Sequence, residues 1–347
     1  MTAQAAATAM GASATGMSGD MWMPQTRPTV ARLFALHLQP VPILPAFALA
    51  LLVGYLVGVA ALRRRGDRWP LGRTLLWTAG VVTVLVMTAT GFDGYGMELF
   101  SVHMLQHMVV NMLSPILLTL GAPVTLLLRA LPARPRGRRS ARRLLLAVLH
   151  SRAVAVVTHP AVTLALFLGS LYGLYFTPLF DDLMRTMWGH NLMLVHFLAV
   201  GMLYFWGVVG VDPSPSRGRA ALPVSRPVLR IIELAVTVPF HAFFGVVVMM
   251  STTLIVGFYR HGVPGWGIDP LHDQQTGGGI AWGFTEIPTL IVLGVLFAGW
   301  QAQDARHTRR ADRRAALTGD RDLADYNAYL ARLSRTDPPP VPREPRP

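Results

Sequence analysis

Seven apolar runs, each long enough or nearly long enough to cross a bilayer, constrain this chain more than any other feature. Their approximate limits are 42–62, 73–92, 100–128, 153–176, 187–210, 229–257 and 279–300. A spanning helix needs about 20 predominantly apolar residues. Only 14% of the chain is charged, against about 25% in soluble domains. The expected fold class is therefore all-α: a polytopic seven-transmembrane-helix bundle.

Arginine placement gives the bundle a direction. With the N-terminus outside, the inner connections are 63–73, 129–152, 211–230 and the tail after Trp300. They hold 5, 8, 4 and 10 Arg respectively. The remaining four are Arg27, Arg32, Arg185 and Arg260. This positive-inside bias predicts an N-out, C-in topology. The formal net charge of +13 is thus a property of inner loops facing anionic lipid, not of a nucleic-acid-binding patch.

Three regions follow: an external arm over 1–41, a membrane domain over 42–300 and a cytoplasmic tail over 301–347. The arm lacks a basic n-region and a short apolar core, so it is not read as a signal peptide. Rich in Ala, Gly, Ser and Thr, it is expected to be flexible. The tail is helix-compatible and basic between residues 303 and 333, then Pro-rich.

All 31 basic residues are Arg, and the chain has no Cys. Lysine chemistry, thiolate relays and iron–sulfur ligation are excluded. A metal here has to be held by His, Met, Asp, Glu or backbone oxygen.

His103 and His107 are the sharpest candidates. Spaced i, i+4, they share one helix face, and imidazole inside hydrocarbon generally has a partner or a task. The same outer half of the bundle would hold His190, His196, His241 and Glu286, with Asp273 in the loop before the seventh run. Met104, Met108, Met112 and Met193 lie beside these His, and Met17, Met21 and Met23 lie in the arm. Imidazole suits Cu(II) and Zn(II), while thioether suits Cu(I), so copper fits this inventory best. The plainer reading is that a lone His bonds a neighbouring helix and that Met fills gaps in a core. His190 and His196, six residues apart, sit about 120° apart around a helix and are not expected to share one ion.

The order of several motifs carries a resemblance. They include His103-Met-Leu-Gln-His107, Ser114-Pro115, Gly121-Ala-Pro123 and His159-Pro160. Further along come His196-Phe197, Gly210-Val-Asp212-Pro213, Phe240-His241-Ala-Phe-Phe-Gly245 and Asp273-Gln-Gln275. The series ends with Gly277-Gly-Gly-Ile-Ala-Trp282-Gly-Phe-Thr-Glu286-Ile-Pro288 and Asp325-Tyr-Asn-Ala-Tyr-Leu330. In these segments the chain resembles the CtaG-like membrane proteins that assemble caa3-type cytochrome c oxidase, in their actinobacterial branch. The resemblance implies a bacterial plasma-membrane assembly factor, not an enzyme, whose partners are cytochrome c oxidase subunits. It implies copper as cargo, and His103, His107, His190, His196, His241 and Glu286 as the polar positions concerned. Two alternatives stay open. One is a haem-binding redox protein with two facing His, such as His107 and His196. The other is a copper or proton transporter, which needs a polar route through the inner halves of the spans.

Overall fold

The computed structural model describes residues 21–132, 140–213, 226–318 and 321–336. The first 20 residues with Met17, parts of two basic connections and the Pro-rich end lie outside the described residues. Helices account for the architecture: α1 Val30–Phe34, α2 Ile43–Arg64, α3 Leu71–Ala89, α4 Gly91–Glu98, α5 Phe100–Met108, α6 Ser114–Leu120 and α7 Pro123–Ala130. There follow α8 Ala141–Leu149, α9 Arg152–Val157, α10 Pro160–Tyr175, α11 Leu179–Met184, α12 Met187–Val209, α13 Arg226–Met250, α14 Pro270–Thr318 and α15 Arg321–Thr336.

Six stretches among the described residues are long and apolar enough to span a membrane: Ile43–Arg64, Leu71–Ala89, Phe100–Ala130, Met187–Val209, Leu229–Met250 and Pro270–Gln301. The chain is a multi-pass, all-helical membrane protein. The expected run 153–176 is not one helix. It divides at His159, whose extended backbone (ψ 135°) precedes Pro160 at the first turn of α10. A residue before proline is driven out of the helical region by the proline ring, and α10 alone has 16 residues. The last run also begins earlier than hydropathy suggests. Asp269 caps the new helix, accepting from the His272 amide at 2.8 Å, and Pro270 occupies the first position, where no amide is needed. Asp273, expected in a loop, therefore lies in the first turn of α14.

Phe100–Ala130 is the central post. Of its most apolar window 72% is buried, against 22% for Pro270–Gln301. It is not a plain α-helix. Residues Val109–Leu113 form a π-helical turn between α5 and α6. Pro115 explains it: it has no amide to give the Asn111 carbonyl, and its ring crowds that carbonyl. The widened turn lets α12 come close, since a Cβ on Gly201 would lie 2.2 Å from the Asn111 oxygen. At the far end the post breaks at Ala122, in the left-handed region at φ +53°. Asp212, just beyond α12, then caps α7 by accepting from the Val124 and Thr125 amides at 3.0 and 2.9 Å.

Close packing and interhelical hydrogen bonds hold such bundles, because lipid offers no hydrophobic drive. Here the Tyr55 hydroxyl donates to the Gly121 carbonyl at 2.8 Å, Thr83 meets Ser114 at 2.8 Å, and Tyr204 of α12 meets Thr237 of α13 at 2.6 Å. Residues 21–41, expected as an arm, carry α1 and hold Trp22 stacked on His37 with ring centres 4.0 Å apart.

Residues from Val295 onward form a second compact unit. It contains the end of α14 and all of α15. Along α15, Leu323, Tyr326, Leu330 and Leu333 are exposed at spacings of three and four residues, a one-sided apolar stripe.

Candidate metal centre

Two helices and the short segment before one of them bring the site together. α5 carries His103 and His107 one turn apart, 0% and 1% exposed, with ring centres 6.1 Å apart. α12 carries His190 in its first turn. That turn is fixed by Thr186, whose hydroxyl accepts from the Gly189 amide at 3.0 Å. The His190 ring centre lies 5.9 Å from that of His103. An aromatic shell encloses the rings. Phe180 lies 5.1 Å and Tyr259 6.4 Å from His103, and Phe197 lies 3.6 Å from His107.

The hydrogen-bond inventory of this cluster is incomplete. The Tyr175 hydroxyl meets Nδ1 of His107 at 3.0 Å. Among the described residues, both ring nitrogens of His103, Nε2 of His107, Nε2 of His190 and both amide atoms of Asn111 are buried with no hydrogen-bond partner. Buried polar atoms are normally satisfied, and leaving one unmade costs about 1–3 kcal/mol.

His241, on α13, is 0% exposed. Its Nε2 meets the Met108 sulfur at 3.2 Å, and its Nδ1 is another buried nitrogen without a partner among the described residues. The remaining candidates are elsewhere. His196 is on an exposed flank of α12, bonded to Ser170 at 2.8 Å. There it lines an apolar groove of about 390 Å³. The Phe197 ring is in contact with both, 5.4 Å from His196 and 3.6 Å from His107. Glu286 is exposed. Asp273 is bonded to the Ser101 hydroxyl and accepts from the Ser101 amide at 3.3 Å. It therefore anchors the start of α5.

Sequence reasoning missed Asp93. This residue of α4 is 5% exposed, and its Oδ1 accepts from the Gln106 side chain at 2.9 Å. Gln106 also donates to the Met87 carbonyl at 2.7 Å. Oδ1 of Asp93 stands 4.0 Å from Nδ1 of His190. Burial raises the Asp93 carboxyl to about 7, although Gln106 and Gln39 favour its charged form. Burial also raises Glu98 to about 7 and pushes the Tyr259 phenol up. Tyr175 and Gln106 were missed as well. The one available signal was that Asp93 is an acid in a Gly-rich link between two apolar runs.

The donors suit a borderline or soft cation. Two imidazoles sharing one ion, each nitrogen about 2.0–2.1 Å from it, have ring centres on the order of 5–6 Å apart. Both measured separations are near that range. Among the described residues no three His, Asp or Glu side chains already surround one point at ligating distance. A pair of rings is thus the ready unit, and a third donor joins only by side-chain rotation.

Uncharacterized protein Mb0105 of Mycobacterium bovis is 44% identical over 311 residues, covering 89% of this chain and 46% of that protein. Uncharacterized protein ML1998 of Mycobacterium leprae is 45% identical over 293 residues, covering 84% of this chain and 43% of that one. The chain therefore spans less than half the length of these curated relatives. No solved structure matches it. A sequence profile described as cytochrome c oxidase caa3 assembly factor matches residues 53–303, and the chain belongs to that family.

Proposed function

We propose that this protein matures a haem–copper cytochrome c oxidase by holding copper at His103, His107 and His190 and passing it to an apo-oxidase subunit. The observation that carries this reading is the set of buried imidazole nitrogens with no hydrogen-bond partner among the described residues. Family membership supports the oxidase as partner. The Arg distribution supports an external position for the His-bearing half in a bacterial plasma membrane. It also supports contact of the inner loops with anionic lipid.

Transfer in this reading is ligand exchange. Bonds from copper to imidazole nitrogen break as bonds to the acceptor's ligands form, with no change in oxidation state. Met108, bonded to His241, offers a thioether next to the rings and suits Cu(I). The protein has no catalytic role here. Haem ligation is the weaker alternative, because His196 is on an exposed flank and Phe197 packs 3.6 Å from His107. The test is oxidase activity in cells carrying His103→Ala, His107→Ala or both. Loss of the copper-dependent oxidase, restored by added copper, is expected. Full activity of the double variant overturns the proposal.

A further inference from the structure

The copper reading names ligands but leaves open what aims them, and the surroundings of His190 answer that. Its Nε2 is buried without a partner among the described residues, on a ring 5.9 Å from His103. Its other nitrogen, Nδ1, points toward Asp93. Asp93 does not choose its own position. Gln106 grips Oδ1 at 2.9 Å, and the Met87 carbonyl grips Gln106 at 2.7 Å. Gln106 lies between the two His of α5, so one side chain ties the carboxylate to the helix that carries the other rings.

We propose that Asp93 is the positioning carboxylate of the centre, holding the His190 proton on Nδ1 so that the Nε2 lone pair faces the cation. Metal-ligating His characteristically donates its second ring N–H to such a group, which fixes the tautomer and strengthens the ligand. The 4.0 Å separation exceeds a hydrogen bond. A shift on the order of 1 Å closes it to hydrogen-bonding distance, which a modest rotation of the imidazole supplies. Asp93 acts through His190, and only His190 contacts the ion.

The inference rests on the copper reading, and one experiment separates the two. Purified full-length protein in detergent is titrated with Cu(I) against a chromophoric chelator, and copper-edge X-ray absorption reports the ligands. Asp93→Leu should weaken Cu(I) binding about 10–100-fold, the usual cost of losing such a partner. His190→Ala should weaken it at least as much and remove one nitrogen scatterer. The Asp93→Leu/His190→Ala double variant should bind like His190→Ala alone. Asp93→Asn keeps an oxygen acceptor, should lose less, and replaces Leu in the cycle if Asp93→Leu does not fold. Unchanged affinity in the Asp93 variant, or losses that multiply in the double variant, overturns the positioning role and leaves the copper reading intact. A wild-type protein that binds no Cu(I) overturns both.

Discussion

The Tyr175 hydroxyl and Nδ1 of His107 are 3.0 Å apart, in a buried pair that joins the end of α10 to α5. It is the one hydrogen bond that fixes a ring of the His103/His107 pair, because both nitrogens of His103 are without one among the described residues. Tyr175→Phe should therefore leave another buried ring nitrogen unmade. The expected cost is about 1–3 kcal/mol of stability, read as a lowered thermal midpoint in detergent. His107 would also lose its fixed orientation, so copper affinity should fall in the folded fraction. A variant with unchanged midpoint and affinity would remove Tyr175 from the account.

Helix α12 is held against the π turn by the absence of a side chain at one position. A Cβ on Gly201 would meet the Asn111 oxygen at 2.2 Å, whereas a Cβ on Gly173 meets nothing within 4 Å. Gly201→Val should cost about 1–3 kcal/mol through overpacking. Gly173→Ala should be neutral or stabilising, since Ala is the better helix former. Thermal unfolding of the two variants side by side checks the pair. Equal midpoints would contradict the close approach.

Glu98 should cost the fold progressively more as pH rises from 4.5 to about 7. Burial raises the Glu98 carboxyl from 4.5 to about 7. At low pH the group is protonated in both states and costs nothing. Above 4.5 the unfolded chain ionises while the folded chain does not, so folding loses ground until the folded carboxyl ionises near 7. Asp93 contributes with the same sign. Glu98→Gln should gain stability relative to wild type as pH rises through this window, measured as the difference between the two midpoints against pH in detergent. A Glu98→Gln midpoint that differs from wild type by the same amount at every pH would contradict the assigned burial.

The helices were largely legible because apolar length is a direct physical requirement of spanning. Their ends were not. Asp273, Gln274 and Gln275 read as loop by hydropathy, yet they form a helical turn whose polar groups are spent on neighbours. Gln274 accepts from the Ile255 amide at 2.7 Å, and Gln275 donates to the Ser251 carbonyl at 3.1 Å. Polarity there reflects anchoring rather than exposure. His103 and His107 were legible from spacing alone, and helical phase separated His190 from His196. Asp93 was not legible, because nothing local shows that α4 turns its carboxylate toward a helix nearly a hundred residues later. The contact of His241 with Met108 likewise depends on how α13 meets α5.

Copper binding by the purified protein tests the central claim most directly. Equilibrium dialysis under reducing conditions, with metal and protein quantified, should give one tightly held copper per chain. The His103→Ala/His107→Ala variant should lose it, while His196→Ala should keep it, since His196 is on the exposed flank. A wild-type chain that retains no copper, or a double variant that binds it as tightly as wild type, would contradict the account.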